Sequence, residues 1–208
     1  MKELFLIVSF LLTNCAFGQK VDEIVENYNQ SIDPYGKLDS FTHLQVDIYL
    51  SIFNSMQAFS RSDTVSQYYS IFGENSYKNW SDGIKVDVTQ MVDISEWERK
   101  NVLKIHINFL ICDNDESLEL VESTDTTYVI EKLSPDKKVH YEINRESYDL
   151  IRKTIISNSK EMTSLLFDYQ RVDGIKVATR LTFESEMGTA EQQMFNYKFY
   201  RGQDVGLR

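Results

Sequence analysis

Cysteine, proline and glycine are scarce in this sequence, which contains only 2 Cys, 2 Pro and 8 Gly among 208 residues. Cys15 falls in an apolar N-terminal segment that we expect to be removed, which leaves Cys112 alone in the mature chain. The mature protein could then form no internal disulfide. We expect Cys112 to be buried beside the apolar run from Ile105 to Ile111. The scarcity of Pro and Gly, together with 12 Tyr and 12 Phe, indicates long regular strands with packed aromatic faces.

Basic residues are in the minority, since 22 Lys and Arg stand against 32 Asp and Glu, for a net charge of −10. The sequence contains no basic stripe that could neutralise phosphates, and this excludes nucleic acid as an expected partner. Such a chain would also be repelled by anionic lipid head groups. We therefore expect any contact with lipid to use an apolar cavity rather than a charged surface.

The sequence also lacks the common signatures of catalysis and metal binding. The three histidines, His43, His106 and His140, lie far apart, and none has a second ligand at the spacing of a zinc site. The acidic turn at residues 113–116 lacks the glycine and the terminal glutamate of a calcium loop. There is no G-x-S-x-G elbow, P-loop or dinucleotide fingerprint. We predict no cofactor, no metal and no enzymatic activity; a hydrolase that uses a pair of carboxylates stays open as an alternative.

Residues 1–18 are typical of a secretory signal peptide. An apolar run from Leu4 to Leu12 follows a short charged start, and small side chains precede the expected cleavage site before Gln19. The run is too short to span a bilayer as a helix. Lipidation of Cys15 is the alternative, although Asn14 stands where a lipoprotein signal has a small residue. Residues 19–208 are then predicted to form a single domain in the periplasm.

The mature chain begins with a predicted helix and continues mainly as strands. Residues 21–32 have the apolar spacing of an amphipathic helix, and Asp33-Pro34 ends it. Residues 44–52 alternate apolar and polar side chains in the manner of a half-buried strand. Between residues 165 and 200, Asp173-Gly174 separates two alternating runs and predicts a two-residue hairpin. About ten or eleven strands and two helical segments result, so we expect one α+β domain built on a long, curved antiparallel sheet.

Residues 95–111 fit two structures. Ser95 and Glu98 match a capping box, and Trp97, Val102, Ile105 and Phe109 could form the apolar stripe of a helix. Residues 105–109 also alternate as in a strand. The helix is favoured, and the strand stays open.

A wide, curved sheet has a concave face that one or two helices cannot always fill, and apolar cavities of this kind hold hydrophobic ligands. A simple packed core and a ligand cavity are both compatible with the sequence. Candidate cavity residues are those that share one face of a strand, with three further apolar residues of the segment 95–111. They are Leu44, Val46, Ile48, Leu50, Ile52, Ile175, Val177, Leu181, Phe195, Tyr197 and Phe199 from the strands, and Trp97, Ile105 and Phe109 from that segment.

Several stretches resemble the LolA-like family of outer-membrane lipoprotein carriers and lipoprotein-sorting proteins. They are VDEIVENYNQSI after the exported start, YGKLDSFTHLQVDIYL, VHYEINRESYDLIRK and FDYQRVDGIKVATRLTF. The sequence departs from the family pattern at Pro34-Tyr35-Gly36, where members often have a Gly-Gly pair, and at Ala178, where they often have proline. We could assign the arginine that closes the lid in carriers to no residue of this chain.

The resemblance implies an unclosed antiparallel β-barrel of about eleven strands, with helices that cover the concave face. It also implies a non-catalytic periplasmic protein that shields the acyl chains of a lipid or lipoprotein. An envelope protein-interaction module on the same fold, with the cavity filled by its own side chains, is the alternative.

The N-terminal assignment can be tested by the intact mass of the protein purified from an envelope fraction. We expect a chain that begins at Gln19 and carries no lipid, because the small residues of the cleavage site precede it. A chain that begins at a lipid-modified Cys15 would contradict this.

Overall fold

The computed structural model describes residues 20–202, apart from 55–58, 73–74, 82–83, 91–94, 114, 158–159 and 186–187. The predicted signal peptide, its cleavage site and Cys15 therefore lie outside the described residues. Helix α1 covers residues 20–32, a 3₁₀ turn covers Leu38–Ser40, and helix α2 covers Glu96–His106. The strands are β1 His43–Asn54, β2 Phe59–Ser70, β3 Asn75–Ser81, β4 Ile84–Gln90, β5 Ser117–Ser123, β6 Thr127–Leu133, β7 Lys138–Asn144, β8 Leu150–Ser157, β9 Lys160–Val172, β10 Ile175–Ser185 and β11 Gly188–Tyr200.

All eleven strands belong to one antiparallel sheet in the order β4-β3-β2-β1-β11-β10-β9-β8-β7-β6-β5. Each strand pairs with its neighbour in the chain, except where β1 pairs with β11. Strands β4 and β5 form the two free edges, so the sheet is an unclosed half-barrel. The predicted fold class is confirmed.

Helix α1 forms where the spacing of apolar residues predicts it and buries that stripe. Val21, Ile24, Tyr28 and Ile32 are at most 5% exposed and pack into the same core as the inner face of the sheet. The helix ends at Asp33, whose carboxylate accepts hydrogen bonds from the backbone N–H groups of the two residues that open the 3₁₀ turn, at 3.0 and 2.7 Å. The side chain thus fixes the direction in which the chain leaves α1.

Helix α2 confirms the helical interpretation of the segment after Ser95, and the strand alternative is wrong. Both bonds of the capping box are present: the Glu98 N–H donates to Ser95 Oγ at 3.1 Å, and the Ser95 N–H donates to Glu98 Oε2 at 2.9 Å. The helix ends at His106, and Asn108 follows with a φ of 62°. Because α2 lies in the connection between the edge strands β4 and β5, the chain crosses the open side of the half-barrel here.

Helix α1 and the segment after α2 are hydrogen-bonded to each other. The Asn29 side chain pairs with both backbone groups of Leu110, donating to the carbonyl and accepting from the N–H at 3.0 Å each. The Tyr28 hydroxyl donates to the carbonyl oxygen of Asn108 at 2.8 Å. These bonds join the two helical segments into one cover over the concave face.

One predicted strand face is wrong at Phe195. On β1 one residue lies between Gln45 and Asp47, whereas on β11 two residues lie between their pairing partners Lys198 and Phe195. The extra residue is a β-bulge in which Asn196 has a φ of 52° and donates through its side-chain amide to Asp47 at 3.0 Å. Phe195 is thereby turned to the outer face and is 38% exposed.

The predicted hairpin at Asp173-Gly174 is confirmed. Val172 pairs with Ile175 across the turn, and the φ angles of Asp173 and Gly174 are 53° and 92°. Both values are positive, as a two-residue turn between twisted strands requires. Lys37 donates from its ammonium to the Asp173 carbonyl at 3.2 Å, which attaches the loop after α1 to the hairpin.

We expect Gly174→Ala to destabilise the protein by about 1–2 kcal/mol, because a Cβ is unfavourable at this positive φ. The added Cβ would also lie 3.2 Å from Lys37 Nζ. Asp173→Asn is the matched control, since asparagine is a favoured residue at that position of such a turn, and it should stay within about 0.5 kcal/mol of the parent. Urea unfolding of both variants measures the difference; equal stability would contradict the assignment of the turn.

Candidate functional site

A cavity of about 390 Å³ lies between the concave face of the sheet and the two helical segments. Most of its wall is apolar and comes from strands β1 and β8 to β11. Tyr28 and Ile32 of α1 close one side, and residues 105–108 at the end of α2 close another. The sheet is wide enough that the helices cover the cavity without filling it.

Seven of the candidate residues line this cavity. They are Leu44, Val46, Ile48, Ile105, Val177, Leu181 and Tyr197. They come from three strands and from α2, so the shared faces predicted from alternation converge on one space.

The other seven candidates lie elsewhere. Leu50 and Ile52 are half-buried further along β1, and Ile175 is fully buried in the core. Phe199 packs on Phe41 with ring centroids 5.1 Å apart. Trp97 lies in the first turn of α2 with the Lys132 ammonium 5.7 Å from its ring, and Phe109 lines a shallow groove along α1. Phe195 is on the outer face, as described above.

Part of the apolar wall of the cavity is not covered by other side chains. Ile105 is 38% exposed and Met162 is 39% exposed, and both belong to the cavity wall. Side chains in a packed interior touch neighbours on all sides, whereas these face open space. The wall therefore offers contacts that the chain itself does not use.

A polar group of side chains occupies one part of the wall and was not predicted. It consists of His106, Asn108, Tyr148, Asp149, Lys153 and Lys176. These residues come from the end of α2, the loop before β8, β8 itself and β10. No spacing in the sequence joins these segments, so the group becomes visible only in the fold.

The His106 ring lies against the Tyr69 ring, and the two ring planes are tilted by 30°. Burial lowers the pKa of His106 to about 3, with a smaller contribution from the positive charge of Lys153. The imidazole is therefore neutral at pH 7, although the residue as a whole is solvent-exposed.

The two lysines of this wall have different surroundings. Lys176 forms an ion pair with Asp149 and donates to the Ser147 carbonyl at 3.3 Å. Lys153 has instead the Asn108 side-chain oxygen at 3.3 Å and the Tyr141 ring at 5.5 Å. Within the described part of the chain, no carboxylate lies within 4 Å of the Lys153 ammonium. Burial lowers the pKa of Lys153 to about 8, and the nearby charges of Lys132 and Lys137 add to this.

The hydroxyl and thiol groups near the cavity are protonated at neutral pH. Burial raises the pKa of Tyr169 and Tyr197, whose hydroxyls donate to the Leu150 and Ala178 carbonyls at 2.5 and 2.7 Å. Cys112 is half-buried rather than fully buried, and burial raises the pKa of its thiol. Protonated hydroxyl and thiol groups are weaker nucleophiles than their ionised forms.

Among the described residues, no cluster of three or more His, Cys, Asp or Glu side chains could hold a metal ion. In the same part of the chain, no helix combines the length and the apolar character needed to cross a membrane.

Solved structures with the same fold include the following three. A LolA superfamily protein from Nitrosomonas europaea is 14% identical, with 88% of this chain and 95% of that chain covered and a TM-score of 0.51. A DUF1329 family protein from Desulfovibrio piger is 10% identical, with 90% and 95% covered and a TM-score of 0.53. A domain assigned to outer membrane lipoprotein sorting, from Vibrio parahaemolyticus, is 9% identical, with 91% and 94% covered and a TM-score of 0.50.

No protein-family model matches the sequence, and neither does any curated protein. At these identities the likeness shows the fold. The LolA-like architecture that the sequence motifs imply is thus confirmed at the level of the fold.

The environment of His106 predicts a loss of stability in acid. Its folded pKa of about 3 lies below the usual value of 6.5, so between these values only the unfolded chain takes up the proton. Stability due to this group is complete above pH 6.5 and falls as the pH drops toward 3. A fully buried group would lose about 1.4 kcal/mol of folding free energy per pH unit in this range. Because solvent reaches the ring, we expect His106 to lose roughly half of that amount.

Denaturant unfolding at pH 7 and pH 5 measures this loss. His106→Gln should reduce the difference between the two stabilities by about 1 kcal/mol. His140→Gln is the control, because that ring lies outside the cavity and contacts the Glu131 carboxylate at 2.8 Å. An unchanged pH dependence in His106→Gln would show that the ring accepts a proton in the folded protein.

Proposed function

We propose that this protein is a periplasmic, non-catalytic carrier that binds the acyl chain of a lipid or lipoprotein in its half-barrel cavity. One observation carries the proposal: the wall of the cavity includes apolar side chains, such as Ile105 and Met162, that are more than one third exposed. Exposed apolar surface inside a fold has a favourable partner in a hydrocarbon chain. The likeness in fold to a lipoprotein-sorting domain agrees with this but does not identify the ligand.

The size of the cavity agrees with a ligand of this class. Its volume of about 390 Å³ lies at the lower end of the range of small-molecule pockets, which is roughly 300–1,000 Å³. Each methylene removed from water contributes about 0.8 kcal/mol, so several buried carbons would give useful affinity without any covalent chemistry. Reversible binding is what a carrier needs.

Access to the cavity involves the cover formed by the helical segments. Residues 105–108 close the cavity beside Tyr69 of β2, and the hydrogen bonds of Asn29 and Tyr28 attach this segment to α1. Displacement of the end of α2 would open the wall while the sheet stays intact. This motion is part of the proposal.

The open cavity weighs against a protein-interaction module whose core is filled by its own side chains. A hydrolase would need two carboxylates that converge on the cavity. Among the described residues that line it, Asp149 is the only carboxylate, and Lys176 neutralises it. The protein-interaction module and the hydrolase therefore have less support than acyl binding.

The proposal predicts that filling the cavity removes acyl binding. Leu181→Trp should weaken the binding of a fluorescent fatty acyl probe on the order of tenfold, since the loss of two buried methylenes costs about 1.6 kcal/mol. Leu165→Trp is the matched control. Leu165 lies on the neighbouring strand β9, pairs with Thr182 rather than Leu181, and does not line the cavity. This control should bind the probe like the parent.

Titration of the probe with thermal unfolding of each variant completes the test. Equal affinities of Leu181→Trp and the parent would place the probe outside the cavity. A parent that binds no acyl probe, and that carries no lipid after purification from its native envelope, would overturn the proposed function.

A further inference from the structure

The cationic end of the cavity carries an inference about the chemistry of the ligand. Lys153 lies on the inner face of β8, where its pairing partners are Tyr141 on β7 and Ser164 on β9. Its ammonium therefore enters a space that is mostly apolar. A cation enclosed in this way is costly unless an anion or several acceptors compensate it.

The described residues around Lys153 do little to compensate the positive charge of its ammonium group. The Asn108 oxygen at 3.3 Å is a long hydrogen bond, and the Tyr141 ring provides only a weak cation–π contact. The contrast with Lys176 is informative, because that lysine lines the same cavity and is neutralised by Asp149. Nearby Lys132 is likewise paired, with Glu116 at 2.6 Å. Of these three ammonium groups, the Lys153 group alone has no carboxylate partner among the described residues.

His106 adds a second donor at the same place. It lines the cavity and lies close enough to Lys153 that the lysine charge affects it. Its ring nitrogens form no hydrogen bond to the described residues. A neutral imidazole carries one N–H that can donate, so an anion beside Lys153 would meet a charged donor and a neutral one.

We infer that Lys153, assisted by His106 and Asn108, forms a subsite for the anionic head group of a single-chain amphiphile whose hydrocarbon lies along the apolar wall. The inference rests on the proposed function and narrows it to ligands that carry a carboxylate or a phosphate next to an acyl chain. The net charge of −10 repels such anions from the protein as a whole, so the attraction is confined to the cavity.

The test compares three ligands with the same alkyl chain: dodecanoate, dodecyl phosphate and dodecanol. Titration calorimetry at pH 7 and low salt measures their affinities for the full mature chain. We expect the parent to bind both anions at least tenfold more tightly than the alcohol, because a hydrogen-bonded charge pair out of water exceeds a neutral contact. The tighter of the two anions identifies the head group as carboxylate or phosphate.

Three variants locate the effect. Lys153→Gln should reduce the ratio of anion to alcohol affinity to about one while it changes dodecanol binding by less than about twofold. Lys153→Arg should keep the preference. Lys100→Gln is the control for net charge: its ammonium lies on the exposed side of α2, paired with Glu96, and it should keep the parent ratio. Thermal unfolding verifies that each variant is folded.

The outcomes separate the two proposals. Equal affinity of the parent for dodecanoate and dodecanol, or a preference that persists in Lys153→Gln, overturns the head-group subsite and leaves acyl binding intact. Failure of all three ligands to bind the parent overturns acyl binding, and the subsite with it. If the preference for the anions over dodecanol is lost in Lys153→Gln and kept in the other two variants, the result supports both acyl binding and the head-group subsite.

Discussion

The structure depends on one constraint, which is that an open eleven-stranded sheet has more concave surface than two helical segments can cover closely. The buried face of such a sheet carries apolar side chains from nearly every strand. Helices α1 and α2 each contribute only one apolar stripe that packs against this face. The surplus remains as a cavity whose wall is already apolar. The cavity thus results from a mismatch in area, and the same inward residues that stabilise the core continue into it.

Much of the fold could be predicted because its signals are local. Three of these signals depend only on residues that are close together in the sequence. They are the apolar stripe of α1, the Ser95–Glu98 capping box and the Asp173-Gly174 turn. Phe195 shows the limit of such reasoning. Simple alternation places it with Tyr197, but one extra residue at Asn196 reverses the faces, and only the pairing with β1 shows that a bulge is needed.

Only the apolar part of the candidate site could be predicted from the sequence. Leu44, Val46 and Ile48 are found by alternation, since burial of one face leaves a period of two in the sequence. Lys153 and His106 leave no comparable signal: one is a single polar residue on a strand and the other ends a helix. Their proximity is a product of the topology, which places the connection between the edge strands above β8. The polar part of the cavity wall could therefore not be predicted from the sequence.

The pairing of β1 with β11 has a consequence for how the chain reaches its fold. It brings together residues such as Gln45 and Tyr200, whose side chains are hydrogen-bonded although they are 155 positions apart, whereas the remaining pairings connect consecutive strands. Strands β1–β4 and strands β5–β11 can each form a half-sheet from local hairpins. The two half-sheets become one sheet only when β11 pairs with β1. Until then the apolar inner faces are open to water and to other chains. We therefore expect the rate of this final association, rather than the stability of any single hairpin, to set how long the nascent protein is vulnerable to aggregation.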